Sequence, residues 1–334
     1  MNTIRRLNDA AGRVYTGQQE VTSCLVESMK GLFAKGNRVE ESRILPLVTP
    51  RVTSDMKQIL LAPFTEEEIW FALKCMGSNK APGPDGMSAR FFQKHCHIVG
   101  QTVLSELRGY LEVGEFPMML NKTLIALIPK KNKPSTPTDF RPISLCNVLY
   151  KIMSKVLANR LKQLLNMVIG EQQSAFIPGR FITDNILIAF ECFHTIKQKT
   201  RAKTGFMAAK LDISKAYDRV EWDFLEAMML KFGFAERWVR MIMKCITTVT
   251  YSILVNGHRS EEFQPEMGLR QGNPLSPYLF LFCVEGLATL LTNVVNSGKI
   301  HGLKTSARGP IISHLLFADD SVLFTKILHR KAAN

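Results

Sequence analysis

Two adjacent carboxylates, Asp319 and Asp320, interrupt the apolar run Leu316-Phe317-Ala318-Asp319-Asp320-Ser321-Val322. Residues 314–317 and 322–324 predict two short strands, which makes 318–321 the turn of a hairpin. Like charges side by side repel, so the turn gains nothing structural from them. A divalent cation changes that balance, because carboxylate oxygens hold hard cations. For the pair alone, a solvated acidic turn is the plainer reading. A second site shifts the reading: residues 207–213 predict an apolar strand that ends in Asp212. A strand-end carboxylate beside a hairpin carrying two more makes the cluster that two-metal phosphoryl transfer uses. One ion activates a hydroxyl nucleophile, and the other clamps a triphosphate and its leaving oxygen. Magnesium suits this work, taking few protein ligands and the rest from water and phosphates.

Between these carboxylates lies Met267-Gly268-Leu269-Arg270-Gln271-Gly272-Asn273-Pro274-Leu275-Ser276-Pro277-Tyr278. Gly272 permits close backbone approach. Pro274 and Pro277 fit the opening of a helix, which the apolar run 279–291 continues. Arg270 and Gln271 sit at its start, where polar groups suit a nucleotide or a template strand. Upstream, a strand over 123–129 runs into Lys130, Lys131 and Lys133, and a second strand returns over 140–145. Such a basic tip can reach over a triphosphate, or it is a solvated loop. Arg141 has apolar neighbours, where an idle charge is costly. The predicted helix 151–166 carries basic residues at 151, 155, 160 and 162, a face suited to tracking phosphates or simply to water.

The elements that must position these residues read as follows. A helix is expected over 21–33. Thr65 followed by three glutamates marks a helix start. Residues 79–86 form a Pro/Gly-rich loop, most simply a tight connection. Helices over 222–231 and 237–247 are joined through Gly233, and Asn256-Gly257 predicts a two-residue hairpin turn between 250–255 and 258–263. The formal net charge of +14 favours polyanions as partners. Seven scattered cysteines without a CxxC pair favour reduced thiols over a disulfide framework. Residues 1–15 carry no secretory signal. The apolar stretch 278–291 includes Glu285 and is short for a bilayer, so no membrane partner is expected.

Seven motifs in order, KAPGPDGM (80–87), LIALIPKK (124–131), DFRPISLCNVLYKIMSKVLANRL (139–161), QSAFIPGRFITDNILIAFE (173–191), KLDISKAYDRVEW (210–222), GLRQGNPLSP (268–277) and LLFADDSVLF (315–324), resemble the reverse transcriptase domain of LINE-type (non-LTR) retrotransposons, plant-like in kind. The resemblance covers about residues 60–326. It implies an α+β right-hand polymerase fold in which a mixed antiparallel sheet packs with helices. A helical connector would occupy 1–60, fingers 61–204, and an incomplete palm 205–334 that stops before the thumb. The endonuclease of complete elements would also be missing.

The implied reaction is RNA-directed DNA synthesis with two magnesium ions, manganese being the alternative. The partners would be an RNA template, a DNA primer and deoxynucleoside triphosphates. Asp212, Asp319 and Asp320 would be the catalytic carboxylates, with the Ile213 carbonyl as a further metal ligand. Lys130, Lys131, Arg141, Tyr217, Gln271 and Gly272 would contact the incoming nucleotide. Tyr217 would select against a 2′-hydroxyl, unless it is an ordinary core tyrosine. Pro82, Gly83, Arg180 and Arg270 would lie along the template. Location in the nucleus or cytoplasm is expected from the life cycle of such elements. One departure is Asn273, where the family commonly has Asp. The rival readings are an inactive remnant that at most binds nucleic acid, and a group II intron maturase-type protein. Phe317-Ala318-Asp319-Asp320 in place of Tyr-x-Asp-Asp argues against a retroviral-type enzyme.

Overall fold

The computed structural model describes residues 3–36, 41–198, 205–306 and 308–326. The chain opens with a small hairpin, β1 (Arg6–Asn8) and β2 (Val14–Thr16), followed by α1 (Gln18–Leu32). The first sixty residues are therefore not wholly helical, as the resemblance implied. Helix α1 packs into the fold. Its Val21, Leu25 and Met29 are buried against Ile125, Tyr251, Ile253 and Val255 in a core of their own.

Helices α2 (Ser54–Leu61), α3 (Glu66–Lys74), α4 (Ala89–Lys94) and α5 (Cys96–Val113) follow. The start of α3 forms as its sequence dictates. The Thr65 side chain accepts from the Glu68 N–H, and the Glu68 side chain accepts from the Thr65 N–H. Strands β3 (Lys122–Pro129) and β4 (Phe140–Cys146) make an antiparallel hairpin with Pro129 opposite Phe140. Next come α6 (Val148–Lys162), α7 (Leu165–Val168) and α8 (Ile182–Gln198). The helix expected over 151–166 is thus two helices. Its imagined basic face is also interrupted, because Arg160 is buried. The Arg160 guanidinium donates to Glu68 and to the carbonyls of Leu60, Ala62 and Pro63.

Strand β5 (Phe206–Asp212) leads to α9 (Trp222–Phe232) and α10 (Glu236–Thr247). Gly233, in the left-handed region, closes α9 as expected. Strands β6 (Thr250–Val255) and β7 (His258–Arg259) are joined by Asn256 and Gly257, both at positive φ. Then come α11 (Ser276–Asn296), β8 (His314–Phe317) and β9 (Asp320–Lys326).

The β6–β7 hairpin does not join the strands that carry the aspartates. Strand β6 pairs in parallel with β3, giving a four-stranded sheet in the order β4-β3-β6-β7. A separate three-stranded sheet runs β5-β9-β8. Strands from before and after residue 205 therefore share one sheet, and the fold is not divided there by sheet membership. The expected boundary at 204 and residues 327–334 lie outside the described residues.

Most helices meet in one large core, where Leu279, Leu281 and Phe282 of α11 lie buried with Leu225, Met228 and Phe232 of α9. By length and composition α11 could cross a membrane, but half of its most apolar stretch is buried inside the protein. Glu285 on α11 is buried as well. It is paired with Arg51 at 2.7 Å and accepts from the Gly170 N–H at 3.2 Å, as a buried carboxylate requires.

Candidate active site

Asp212 ends β5, and the register fixes what it meets. It stands opposite Asp320, the first residue of β9, and Asp320 stands opposite Phe317 at the end of β8. The hairpin turn is therefore tighter than expected: Ala318 and Asp319 alone make it. Ala318 adopts φ +52°, a left-handed conformation that costs a non-glycine residue about 1–2 kcal/mol. The Ile213 N–H donates to the Asp319 carbonyl at 3.2 Å, tying the turn to the end of β5.

Asp212 and Asp319 are both exposed and line one cleft of about 1070 Å³. Lys130, Arg141, Ile213, Tyr217, Gln271 and Gly272 line it too, so eight of the residues singled out from sequence converge there. The β3–β4 hairpin supplies Lys130 and Arg141, and the segment after β5 supplies Tyr217. The corner before α11 supplies Gln271 and Gly272. That corner is fixed to β4, because the Ser144 N–H donates to the Gln271 carbonyl at 2.9 Å. Gly272 has φ +100°, which glycine adopts without strain.

Several local details differ from expectation. Arg141 is exposed on β4 rather than packed among apolar groups, so its charge is free to meet a ligand in the cleft. Tyr217 is half-buried and stacks on Phe280 of α11 with ring centroids 4.9 Å apart, which fixes the ring. Burial pushes its hydroxyl pKa up. The Lys130 ammonium donates to the Thr138 carbonyl at 3.0 Å, steadying the cleft edge.

Other expected contacts stand elsewhere. Asp320 does not line the cleft. Its carboxylate pairs with Lys210 at 2.9 Å, and this raises the Lys210 pKa. Among the described residues no group of three His, Cys, Asp or Glu is close enough to hold a metal, so the three-carboxylate cluster is not assembled. Lys131 pairs with Asp139 at 2.9 Å outside the cleft and holds that carboxyl well below its usual range.

The four residues expected along the template are placed as follows. Gly83 is buried, and a Cβ there would lie 2.3 Å from the Asn147 backbone nitrogen. Gly83 thus packs the 79–86 loop onto the start of α6, where the Asp85 N–H donates to the Asn147 side-chain oxygen at 3.2 Å, the tight connection that the residues alone suggested; Pro82 beside it is half-buried. Arg180 spends its guanidinium on the carbonyls of Gly170, Gln173, Asn166 and Ile169.

Arg270 is the clearest correction. It is 3% exposed, donates to Asn121, Thr123, the Tyr150 hydroxyl and the Cys245 carbonyl, and lies 4.1 Å over the Tyr150 ring. A buried charge whose two terminal nitrogens are engaged inside the protein is not presented to a template. Asn273 is buried beside it. Its side-chain oxygen accepts from the Leu275 N–H, and its amide donates to Tyr150. An ionised Asp could cap there but could not donate.

Three further charged residues line the cleft, of which Lys215 and Asp218 escaped sequence reasoning. Lys155 faces the cleft from α6, on the stretch read as a generic basic face. Lys215 follows Asp212 in a left-handed conformation, and desolvation depresses its pKa. Asp218 is 3% exposed and accepts from the Gln271 side chain at 3.1 Å. Burial raises its pKa above the usual carboxylate value.

The sequence matches the family described as reverse transcriptase (RNA-dependent DNA polymerase) over residues 128–333, more than half of the chain. The chain belongs to the reverse transcriptase family. It is 29% identical over 279 residues to a transposon TX1 uncharacterized 149 kDa protein of Xenopus laevis, covering 84% of this chain and 21% of that protein. It is 26% identical over 287 residues to the Pol polyprotein of the type-2 retrotransposable element R2DM of Drosophila melanogaster, covering 84% and 26%. The RNA-directed DNA polymerase from the mobile element jockey of the same fly is 24% identical over 312 residues, covering 92% and 32%. This places the domain among those of non-LTR retrotransposons. The chain spans between a fifth and a third of these relatives.

Proposed function

We propose that this chain forms the fingers and palm of a right-hand polymerase, adding deoxynucleotides to a primer 3′ end on an RNA template. The single observation that carries the reading is the convergence of Asp212 and Asp319 with Lys130, Arg141 and Tyr217 on one cleft. The carboxylates supply hard oxygen donors, and the cations suit a triphosphate. The stacked Tyr217 ring suits a flat surface beneath a sugar.

The donor set fits a hard divalent ion in part. Asp212 and Asp319 would hold it, with magnesium as the first choice and manganese as the alternative. Asp320 would join only by leaving Lys210. When bound, the ions would lower the pKa of the primer hydroxyl and neutralise phosphate charge. The protein's own part is to orient: Lys130 and Arg141 on phosphates, Tyr217 against the sugar, Gln271 and Gly272 beside the nascent base pair. The work would take place inside the cell, in the nucleus or cytoplasm.

The test is primer extension on an RNA template with magnesium, against the Asp319→Ala/Asp320→Ala control. Extension that disappears in the control supports the reading. No extension by a folded wild-type chain at low salt refutes it for this chain and leaves a nucleic-acid-binding remnant.

A further inference from the structure

Ala318, which begins the strained turn, donates its backbone N–H to the side-chain oxygen of Gln173 at 3.1 Å. The same oxygen accepts from the Ala175 N–H at 2.9 Å. Gln173 is 1% exposed, so this double acceptor operates without competition from water. The backbone on either side reinforces it. Leu316 donates to the Gln172 carbonyl at 2.9 Å, Ser174 donates to the Leu316 carbonyl at 3.3 Å, and Gln173 forms a parallel bridge to Leu316. The segment is locked in turn by Arg180, whose guanidinium donates to the carbonyls of Gly170 and Gln173 at 2.5 and 2.8 Å.

We propose that Gln173, fixed by Arg180, is a positioning residue that holds the Ala318-Asp319 turn in its left-handed form and so aims Asp319 into the cleft. A tight turn with alanine at positive φ is intrinsically unfavourable. It persists only where an outside contact selects it, and Gln173 is the side chain that contacts the Ala318 N–H. Arg180 thereby acquires a role through the protein instead of through a template.

The metal-binding arm of the test rests on the proposed function; the backbone arm does not. Gln173→Met keeps the side-chain length and removes the acceptor. Hydrogen exchange at the Ala318 amide should rise about fivefold or more relative to the rest of β8 and β9, the change expected from losing one net hydrogen bond. Manganese binding that depends on Asp319, read by electron paramagnetic resonance, should weaken by a similar factor. Arg180→Gln, at a less buried site, should raise the same exchange to a smaller degree, and it serves if Gln173→Met does not fold. A folded variant with wild-type exchange at Ala318, or with faster exchange and unchanged manganese affinity, overturns the proposal. If the wild-type chain shows no Asp319-dependent manganese binding, the proposed metal site fails, and the exchange result still decides whether Gln173 holds the turn.

Discussion

Replacing Arg270 by methionine separates two roles that one side chain cannot both fill. The buried guanidinium makes four hydrogen bonds to Asn121, Thr123, Tyr150 and Cys245. A net hydrogen bond to a charged group contributes about 1.5–3 kcal/mol, but the four do not simply add. The Cys245 carbonyl keeps donors from Asn121 and Tyr150, and the Tyr150 hydroxyl keeps Asn273. The Asn121 oxygen is stranded, and Thr123 loses its cationic donor. Two such losses come to about 3–6 kcal/mol. Against a total stability of about 5–15 kcal/mol, Arg270→Met should lower the urea midpoint sharply, with the slope of the transition unchanged. Under conditions where the variant is still folded, its affinity for a primer–template duplex at fixed salt should stay within about twofold of wild type. A loss of stability under about 1 kcal/mol, together with a clear loss of duplex affinity, would refute the burial argument and return Arg270 to the template.

Three further outcomes follow from the same geometry. Arg141→Ala removes an exposed cleft cation, so the nucleotide KM in primer extension should rise about tenfold or more while the urea midpoint holds; an unchanged KM removes Arg141 from the phosphates. Gly83→Ala puts a Cβ 2.3 Å from the Asn147 nitrogen and should cost about 1–3 kcal/mol or more in urea unfolding; a neutral substitution would mean the loop can shift aside. Asp218 has a folded pKa raised, chiefly by burial, so its stabilising contribution is complete below the unfolded value and is lost as pH rises through the folded one. Asp218→Asn keeps an acceptor for Gln271, and its melting temperature should therefore exceed wild type at pH 7 and converge with it near pH 3; equal melting temperatures at both pH values refute the assignment.

The site was legible where chemistry and local geometry coincide. Asp212 at a strand end and Asp319 in a turn follow from short apolar runs and the carboxylates that end or interrupt them, and the Asn256-Gly257 turn and Thr65 cap form as their residues dictate. Sequence reasoning failed where burial decides. An arginine in a motif looks available, yet Arg270 and Arg160 lie inside the protein, and nothing local distinguishes a guanidinium that meets carbonyls from one that meets phosphates. Long-range pairing was equally hidden. The β6–β7 hairpin was expected from its turn, but its parallel partner β3 is more than a hundred residues away, and no local pattern specifies it.

Asp320 shows how the two kinds of information must be combined. Its type and position favour a metal ligand, while its ion pair with Lys210 at 2.9 Å points it to another partner. Both groups are about half exposed or more, and exposed pairs of this kind contribute about 0–1 kcal/mol. A contact that weak does not bind the carboxylate to one geometry. The firm constraints lie in the backbone instead: Asp212 opposite Asp320, Ile213 bonded to Asp319, and Ala318 bonded to Gln173. The fold thus fixes where the three carboxylates originate and leaves the direction of the last one to whatever cation outcompetes Lys210.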